Sequence, residues 1–260
     1  MTVDLAFERK GEGPLLVVLH GLLGSGRNWA SLAKRFAAAH TVLTADARNH
    51  GRSPWDPAMS YLDQAADVAA LIEAQDAGPA AVMGHSMGGK TAMALALTRP
   101  ELVERLIVAD ISPVPHDRAR FGDYIRAMRE IDLDAVTRRG DADRQLAEVE
   151  PDPAVRGFLL LNLASEQGRF FWRPNLEGLL AAMTDVLDWP GELDGRRYEG
   201  PALVVKGGAS PYVRPEHEAA FRSHFPACRI ETVPGAGHWV HAEAPDAYFE
   251  VVDRFLREAG

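Results

Sequence analysis

Five short apolar runs constrain the fold more than any other feature of this chain. LLVVL (15–19), TVLTA (41–45), AAVM (80–83), RLIVA (105–109) and ALVV (202–205) are too brief for helices. Their near-unbroken apolarity fits strands buried on both faces. Further strands are expected at 3–8 and 228–232. Segments with helical spacing lie between them, at 29–38, 61–75, 87–98, 215–224 and 245–258. Strands alternating with helices give an α/β fold, a parallel sheet with helices on both faces. The rhythm breaks at Pro113. From 115 to 198 the chain offers helix-like segments, many charges and no convincing strand. The expected organisation is a core of 1–114 and 199–260, interrupted by a helical insertion over 115–198.

Length and charge narrow the class. A chain of 260 residues suits one α/β core with an insertion. The net charge of -9 argues against a nucleic-acid partner, because phosphate backbones need a basic face. Cys228 is the single cysteine, so no internal disulfide is possible. The opening MTVDLAFERKGEG lacks the basic-then-apolar pattern of a secretion signal, and no apolar run is long enough to span a bilayer. The expectation is a cytoplasmic monomer or small homo-oligomer acting on a small molecule. No Cys/His cluster has metal-ligand spacing, so neither metal nor cofactor is expected.

GHSMGGKT (84–91) fits two chemical patterns at once. As G-x-S-x-G it presents Ser86 as a nucleophile on a sharp strand-to-helix turn. As G-x-x-x-x-G-K-[ST] it cradles phosphate with Lys90 and Thr91. Both patterns expect a strand before and a helix after. The nucleophile reading also gives the other glycine and histidine loops a task. LLVVLHGLLGS supplies an oxyanion hole, since one amide comes from an early strand-to-helix loop and another from the residue after the nucleophile. Those amides belong to Leu22 and Met87. The base is a histidine. His238, in PGAGHWVHAEAP, lies between the last strand and the last helix, with His241 as its rival. His20, His50 and His85 read as supporting or structural, and His40, His116, His217 and His224 as surface or capping residues.

HGLLGS, DARNHGRS, GHSMGGK and GAGHWVHAEAP together resemble the α/β-hydrolase superfamily, and more narrowly a branch of small bacterial esterases and acyl thioesterases with mitochondrial relatives. The resemblance implies a mostly parallel eight-stranded sheet, a helical cap over a Ser-His-acid site, and hydrolysis of carboxylic esters or thioesters, acyl-CoA included. It departs at one place. Many such hydrolases carry the acid in a G-x-x-D-x-x-V pattern, and this chain reads G-G-A-S-P-Y-V, with Ser210 at that position. Asp110 then becomes the acid. It ends LIVAD, the strand after the nucleophile helix, and ADISPV fits the segment in which this branch places its acid. Asp110 would fix the tautomer of His238 and stabilise the imidazolium. Arg48, Asn49 and His50 of DARNHGRS either touch substrate or brace the floor of the site.

Phe171, Trp172, Met183 and Trp239 are the candidates for lining an acyl pocket, with His20 beside them. The expected activity is that of a serine hydrolase, a carboxylesterase or acyl thioesterase working through an acyl-enzyme. Alternatives on the same fold are a C–C bond hydrolase or a cofactor-free perhydrolase. A non-catalytic ligand receptor is a further alternative.

Overall fold

The apolar runs become the interior strands of a seven-stranded sheet in the computed structural model, which describes residues 1–116 and 119–258. The first half of the core comprises β1 (Phe7–Lys10), β2 (Leu15–Leu19), α1 (Ala30–Phe36), β3 (Thr41–Ala45), α2 (Tyr61–Glu73), β4 (Ala80–His85), α3 (Met87–Thr98) and β5 (Val103–Ala109). The insertion follows, with α4 (Ala119–Glu130), α5 (Arg139–Leu146), α6 (Pro153–Leu160), β6 (Leu163–Glu166), β7 (Arg169–Trp172), α7 (Leu176–Ala181) and α8 (Met183–Leu187). The core resumes with β8 (Ala202–Gly207), α9 (Glu218–His224), β9 (Cys228–Val233), α10 (Val240–Glu243) and α11 (Pro245–Arg257). The strand order is β1-β3-β2-β4-β5-β8-β9, and only β1 runs antiparallel to its neighbour.

Every residue of β2, β3 and β4 is buried, as expected of central strands covered on both faces. One apolar cluster packs α2 and α3 on the first face and continues into the insertion. A second packs α1 and α11 on the other. The C-terminal ends of β2, β4, β5 and β8 therefore open onto one edge, beneath the insertion.

Three expectations change. The sheet has seven strands, not eight, among the described residues. The first strand begins at Phe7 rather than Val3, because the Val3 amide donates to Asp67 and the Ala6 amide to Ser53, so neither joins a ladder at that point. The insertion is not wholly helical: β6 and β7 form an antiparallel hairpin. Gln167 and Gly168 turn it, at φ 50 and φ 80. Two-residue hairpin turns need positive φ, and the usual Asn-Gly or Asp-Gly cue is replaced here by Gln-Gly.

Lys90 and Thr91 point into the interior. Lys90 Nζ donates to the carbonyls of Leu187 (3.1 Å) and Asp188 (2.6 Å) and lies 5.5 Å from the centre of the Tyr61 ring. Thr91 Oγ1 lies 3.0 Å from both Gln64 Oε1 and the Met87 carbonyl. Both side chains are engaged inside the protein, so the phosphate-loop reading fails. Lys90 instead ties the end of α8 to α3. Burial pushes its ammonium down to about 7, against the pull of Asp188.

Arg48 is a second wholly buried cation. Its Nε and Nη2 fork the Asp67 carboxylate of α2 at 2.7 and 2.8 Å, and Nη1 donates to the Ala58 carbonyl at 2.7 Å. Asn49, at φ 64, exchanges hydrogen bonds with the backbone of Asp56. DARNHGRS thus braces the floor of the sheet edge.

Two outcomes follow from these buried charges. Arg48→Ala strands the Asp67 carboxylate, so urea denaturation should show a loss of about 3–5 kcal/mol. For Lys90, the folded ammonium deprotonates near 7 and the unfolded one near 10.5, so the unfolded chain binds the extra proton between those values. Wild type should therefore gain stability relative to Lys90→Met as the pH rises from 7 toward 10. Parallel curves for the two proteins would show that Lys90 titrates like a surface lysine.

Candidate active site

Ser86 occupies the single residue between β4 and α3. Its backbone sits at φ 52, ψ -116, a region a side chain rarely adopts. The turn exists because its neighbours come very close. A Cβ on Gly84 would meet the Gly88 carbonyl oxygen at 2.1 Å, and one on Gly88 would meet the His20 carbonyl oxygen at 2.6 Å. Both flanking positions of G-x-S-x-G are therefore restricted to glycine by contact. The first helical bond of α3 runs from Lys90 N to the Ser86 carbonyl at 3.0 Å. The Met87 amide is then one of the unpaired N-terminal donors of the helix. Leu22 lies in the turn closed by Gly24 N on the Gly21 carbonyl (2.9 Å) and borders the same cavity as Ser86.

Asp110 and His238 meet although 128 residues separate them. His238 Nδ1 is 2.8 Å from Asp110 Oδ2. A carboxylate only accepts, so Nδ1 carries the proton and the Nε2 lone pair is free. Nε2 is buried and has no hydrogen-bond partner among the described residues. Asp110 is wholly buried at φ 49, and its Oδ1 accepts from the Gly207 amide at 2.9 Å. Ser210, at the position where the resemblance would place an acid, donates to Asp110 Oδ2.

The histidine loop is fixed at three points. Glu243 accepts from the Gly237 amide (2.7 Å) and the Trp239 amide (3.1 Å), the two neighbours of His238. His85 Nε2 donates to the His238 carbonyl at 2.9 Å. Burial holds His85 far below the usual imidazole range, with His241 and His238 adding to the effect. His241, the rival base, stacks on Trp29 at 4.2 Å, and burial followed by repulsion from His238 lowers it to about 3. A group so hard to protonate is poorly suited to taking a proton from serine.

His20 borders the cavity, but its ring is already engaged. Nδ1 donates to the Gly21 carbonyl (2.7 Å) and Nε2 accepts from the Ala47 amide (2.9 Å). His50 mirrors it, donating to the Arg48 carbonyl and accepting from the Leu23 amide. Burial lowers both, His50 to about 3. Together they shape the loop that carries Leu22.

A cavity of about 600 Å³ opens beside Ser86 and His238. Phe121, Val155 and Phe158 of the insertion line it, with Trp239 from the histidine loop, and the Phe158 and Trp239 rings are 5.7 Å apart. Of the four aromatic or methionine candidates, only Trp239 is there. Trp172 lines a separate groove of about 630 Å³ with Trp55 and Leu180, and its Nε1 donates to the Met128 carbonyl. Phe171 stands on the opposite, exposed side of the hairpin. Met183 packs half-buried against the core cluster. Strand alternation sends Phe171 and Trp172 to opposite faces, which a helical reading of the insertion cannot anticipate. The phenylalanines that do line the cavity come from α4 and α6. Of the histidines expected as surface or capping residues, His40, His116, His217 and His224 are all buried; His217 stands at the N-cap of α9, and His116 and His217 meet around Ser112.

Comparison with known proteins agrees with this architecture. The family model for the alpha/beta hydrolase fold matches residues 14–245. The sn-1-specific diacylglycerol lipase ABHD11 of Mus musculus is 43% identical over 250 residues, spanning 94% of this chain and 81% of the lipase. Esterase YbfF of Escherichia coli (strain K12) is 34% identical over 244 residues, spanning 94% of this chain and 93% of the esterase. Among solved structures, a marine microorganism esterase superposes with a TM-score of 0.94 at 34% identity, over 98% of this chain and 100% of its own. The chain belongs to the α/β-hydrolase family.

Proposed function

We propose that this protein is a serine hydrolase of carboxylic esters, with Ser86 as nucleophile, His238 as general base and Asp110 as the acid. The observation that carries the reading is the Asp110–His238 hydrogen bond, which leaves an unengaged Nε2 at the cavity that Ser86 lines. Ser86 Oγ attacks the acyl carbon while Nε2 takes its proton. The Leu22 and Met87 amides receive the oxyanion. His238 then protonates the leaving alcohol, and water activated by the same ring releases the acid. The names of the relatives, a diacylglycerol lipase and esterases, support ester substrates. The paired acid also supports catalysis over ligand reception alone.

The lining of the cavity favours neutral esters over acyl-CoA. The insertion lines it with apolar residues apart from Asp152, and Glu243 adds a second carboxylate to the lining. Polyanionic coenzyme A would meet like charge there. Of the arginines that could meet its phosphates, Arg138 and Arg139 are directed to Asp141 and to the Leu160 carbonyl, and neither Arg169 nor Arg173 lines the cavity.

A panel of p-nitrophenyl esters and acyl-CoA thioesters, run with wild type, Ser86→Ala and Asp110→Asn, tests the proposal. Esters should turn over faster than the CoA thioesters of the same acyl chain, and Ser86→Ala should be inert. Asp110→Asn should cut kcat by about 10³–10⁴-fold. Its amide must face one of three donors, so the melting temperature should also fall by a few degrees, about 1–3 kcal/mol. Turnover that survives in Ser86→Ala would sink the assignment.

A further inference from the structure

The turn from Ser210 to Tyr212 touches both members of the Asp110–His238 pair. Ser210 Oγ donates to Asp110 Oδ2, the same oxygen that accepts from His238 Nδ1. Two residues later the Tyr212 ring lies face to face with the His238 imidazole, centroids 3.9 Å apart and planes 20° from parallel. The Tyr212 amide donates back to Ser210 Oγ at 3.3 Å. The Tyr212 carbonyl accepts from Ser112 Oγ at 2.8 Å. Ser112 is wholly buried and stands two residues beyond Asp110 in ADISPV. Its oxygen is 2.8 Å from His217 Nδ1 and 3.2 Å from His116 Nε2. The segment that bears Asp110 thus also pins the ring that covers His238.

We propose that Ser210 and Tyr212 are positioning residues for the base, Ser210 orienting the Asp110 carboxylate and Tyr212 holding the imidazole plane and stabilising its charged form. The proposal rests on the reading of His238 as the base. Its physical content is a pair of opposed effects. The face of an aromatic ring attracts a cation, so Tyr212 favours the imidazolium. Ser210 shares Oδ2 with the imidazole and weakens that oxygen as a partner for the charged ring. Other groups that face His238 do not supply this balance. His85 from β4 and His241 from α10 are held neutral by burial. The Glu243 carboxylate, also from α10, is occupied by the amides of Gly237 and Trp239. A stacked ring further limits rotation of the imidazole, keeping Nε2 directed toward the cavity.

The test is an NMR titration of carbon-13-histidine-labelled protein, with His238→Gln assigning the signal, alongside kcat/KM against pH. Tyr212→Leu should lower the His238 midpoint by about half a pH unit. It should also reduce kcat by about tenfold with KM little changed. Tyr212→Phe keeps the stacked face and should stay much closer to wild type than Tyr212→Leu in both readouts. Ser210→Ala should move the midpoint upward. The proposal is overturned if Tyr212→Leu titrates with wild type, if Tyr212→Phe falls as far as Tyr212→Leu, or if Ser210→Ala shifts the midpoint downward. Should Tyr212→Leu fail to fold, Ser210→Ala decides alone, and an unmoved midpoint overturns the idea. The titration reads the imidazole without turnover, so its failure is separable from a failure of Ser86→Ala to abolish ester hydrolysis.

Discussion

One strained residue organises the candidate site. Ser86 at φ 52 is in a conformation that costs of order 1–3 kcal/mol and persists only where the surroundings over-determine it. Here they do. Its amide donates to the Ala109 carbonyl at the end of β5, its carbonyl accepts from Lys90, and the Gly88 amide donates to the His20 carbonyl at the end of β2. The turn is thereby tied to the ends of both neighbouring strands. The same strain is repeated next door. His85 pairs with Ala109 across β4 and β5, and the residues that follow, Ser86 and Asp110, both take positive φ at 52 and 49. Sheet register, rather than loop flexibility, sets Ser86 and Asp110 at the ends of adjacent strands.

Burial then sorts the histidines. His20, His50, His85, His238 and His241 crowd this edge, with ring centres as close as 4.6 Å between His85 and both His238 and His241. Desolvation is the leading cause that lowers His20, His50, His85 and His241, and mutual repulsion deepens the effect in the last three. Those rings serve as hydrogen-bonding or stacking parts. Only His238 among the five has a carboxylate on one nitrogen and an unengaged second nitrogen. That asymmetry is what a general base in an acyl transfer requires.

The legible part of this protein lies where one local rule decides the outcome. LLVVL, TVLTA and AAVM can be little else than buried strands, and the glycines around Ser86 are required by backbone contact. The meeting of Asp110 with His238 was legible because Asp110 directly follows β5, His238 lies in the loop after β9, and the resemblance placed the acid in the ADISPV segment. Glu243, Ser210 and Tyr212 were not, since their roles depend on contacts across loops that carry no periodicity. The insertion misled for a related reason. Its aromatic residues were visible, but which of them face Ser86 depends on a hairpin turned by Gln167-Gly168, whose first residue gives a weak signal for positive φ. Phe121 and Phe158 were reachable from the sequence only with the helix faces of α4 and α6 in hand.

The insertion is attached to the core in two chemically different ways. Near its C-terminal end the attachment is polar and buried: Lys90 donates to Leu187 and Asp188, and Tyr61 Oη donates to the Val186 carbonyl at 2.6 Å. Removing Lys90 takes away the donor to the Asp188 carbonyl, and removing Tyr61 the donor to the Val186 carbonyl, so this end has little freedom to vary. Over the cavity, α6 meets the histidine loop through the Phe158 and Trp239 rings. A substitution there changes volume and dispersion but need not orphan a polar group. A buried polar tie also reaches the loop beside the cavity, where Asn162 Nδ2 donates to the Leu23 carbonyl at 2.7 Å, so the adjustable contact is the Phe158–Trp239 pair. That contact lets the shape of the cavity wall change while Ser86 and Asp110 keep the geometry the sheet imposes and His238 keeps the loop position that Glu243 and His85 fix.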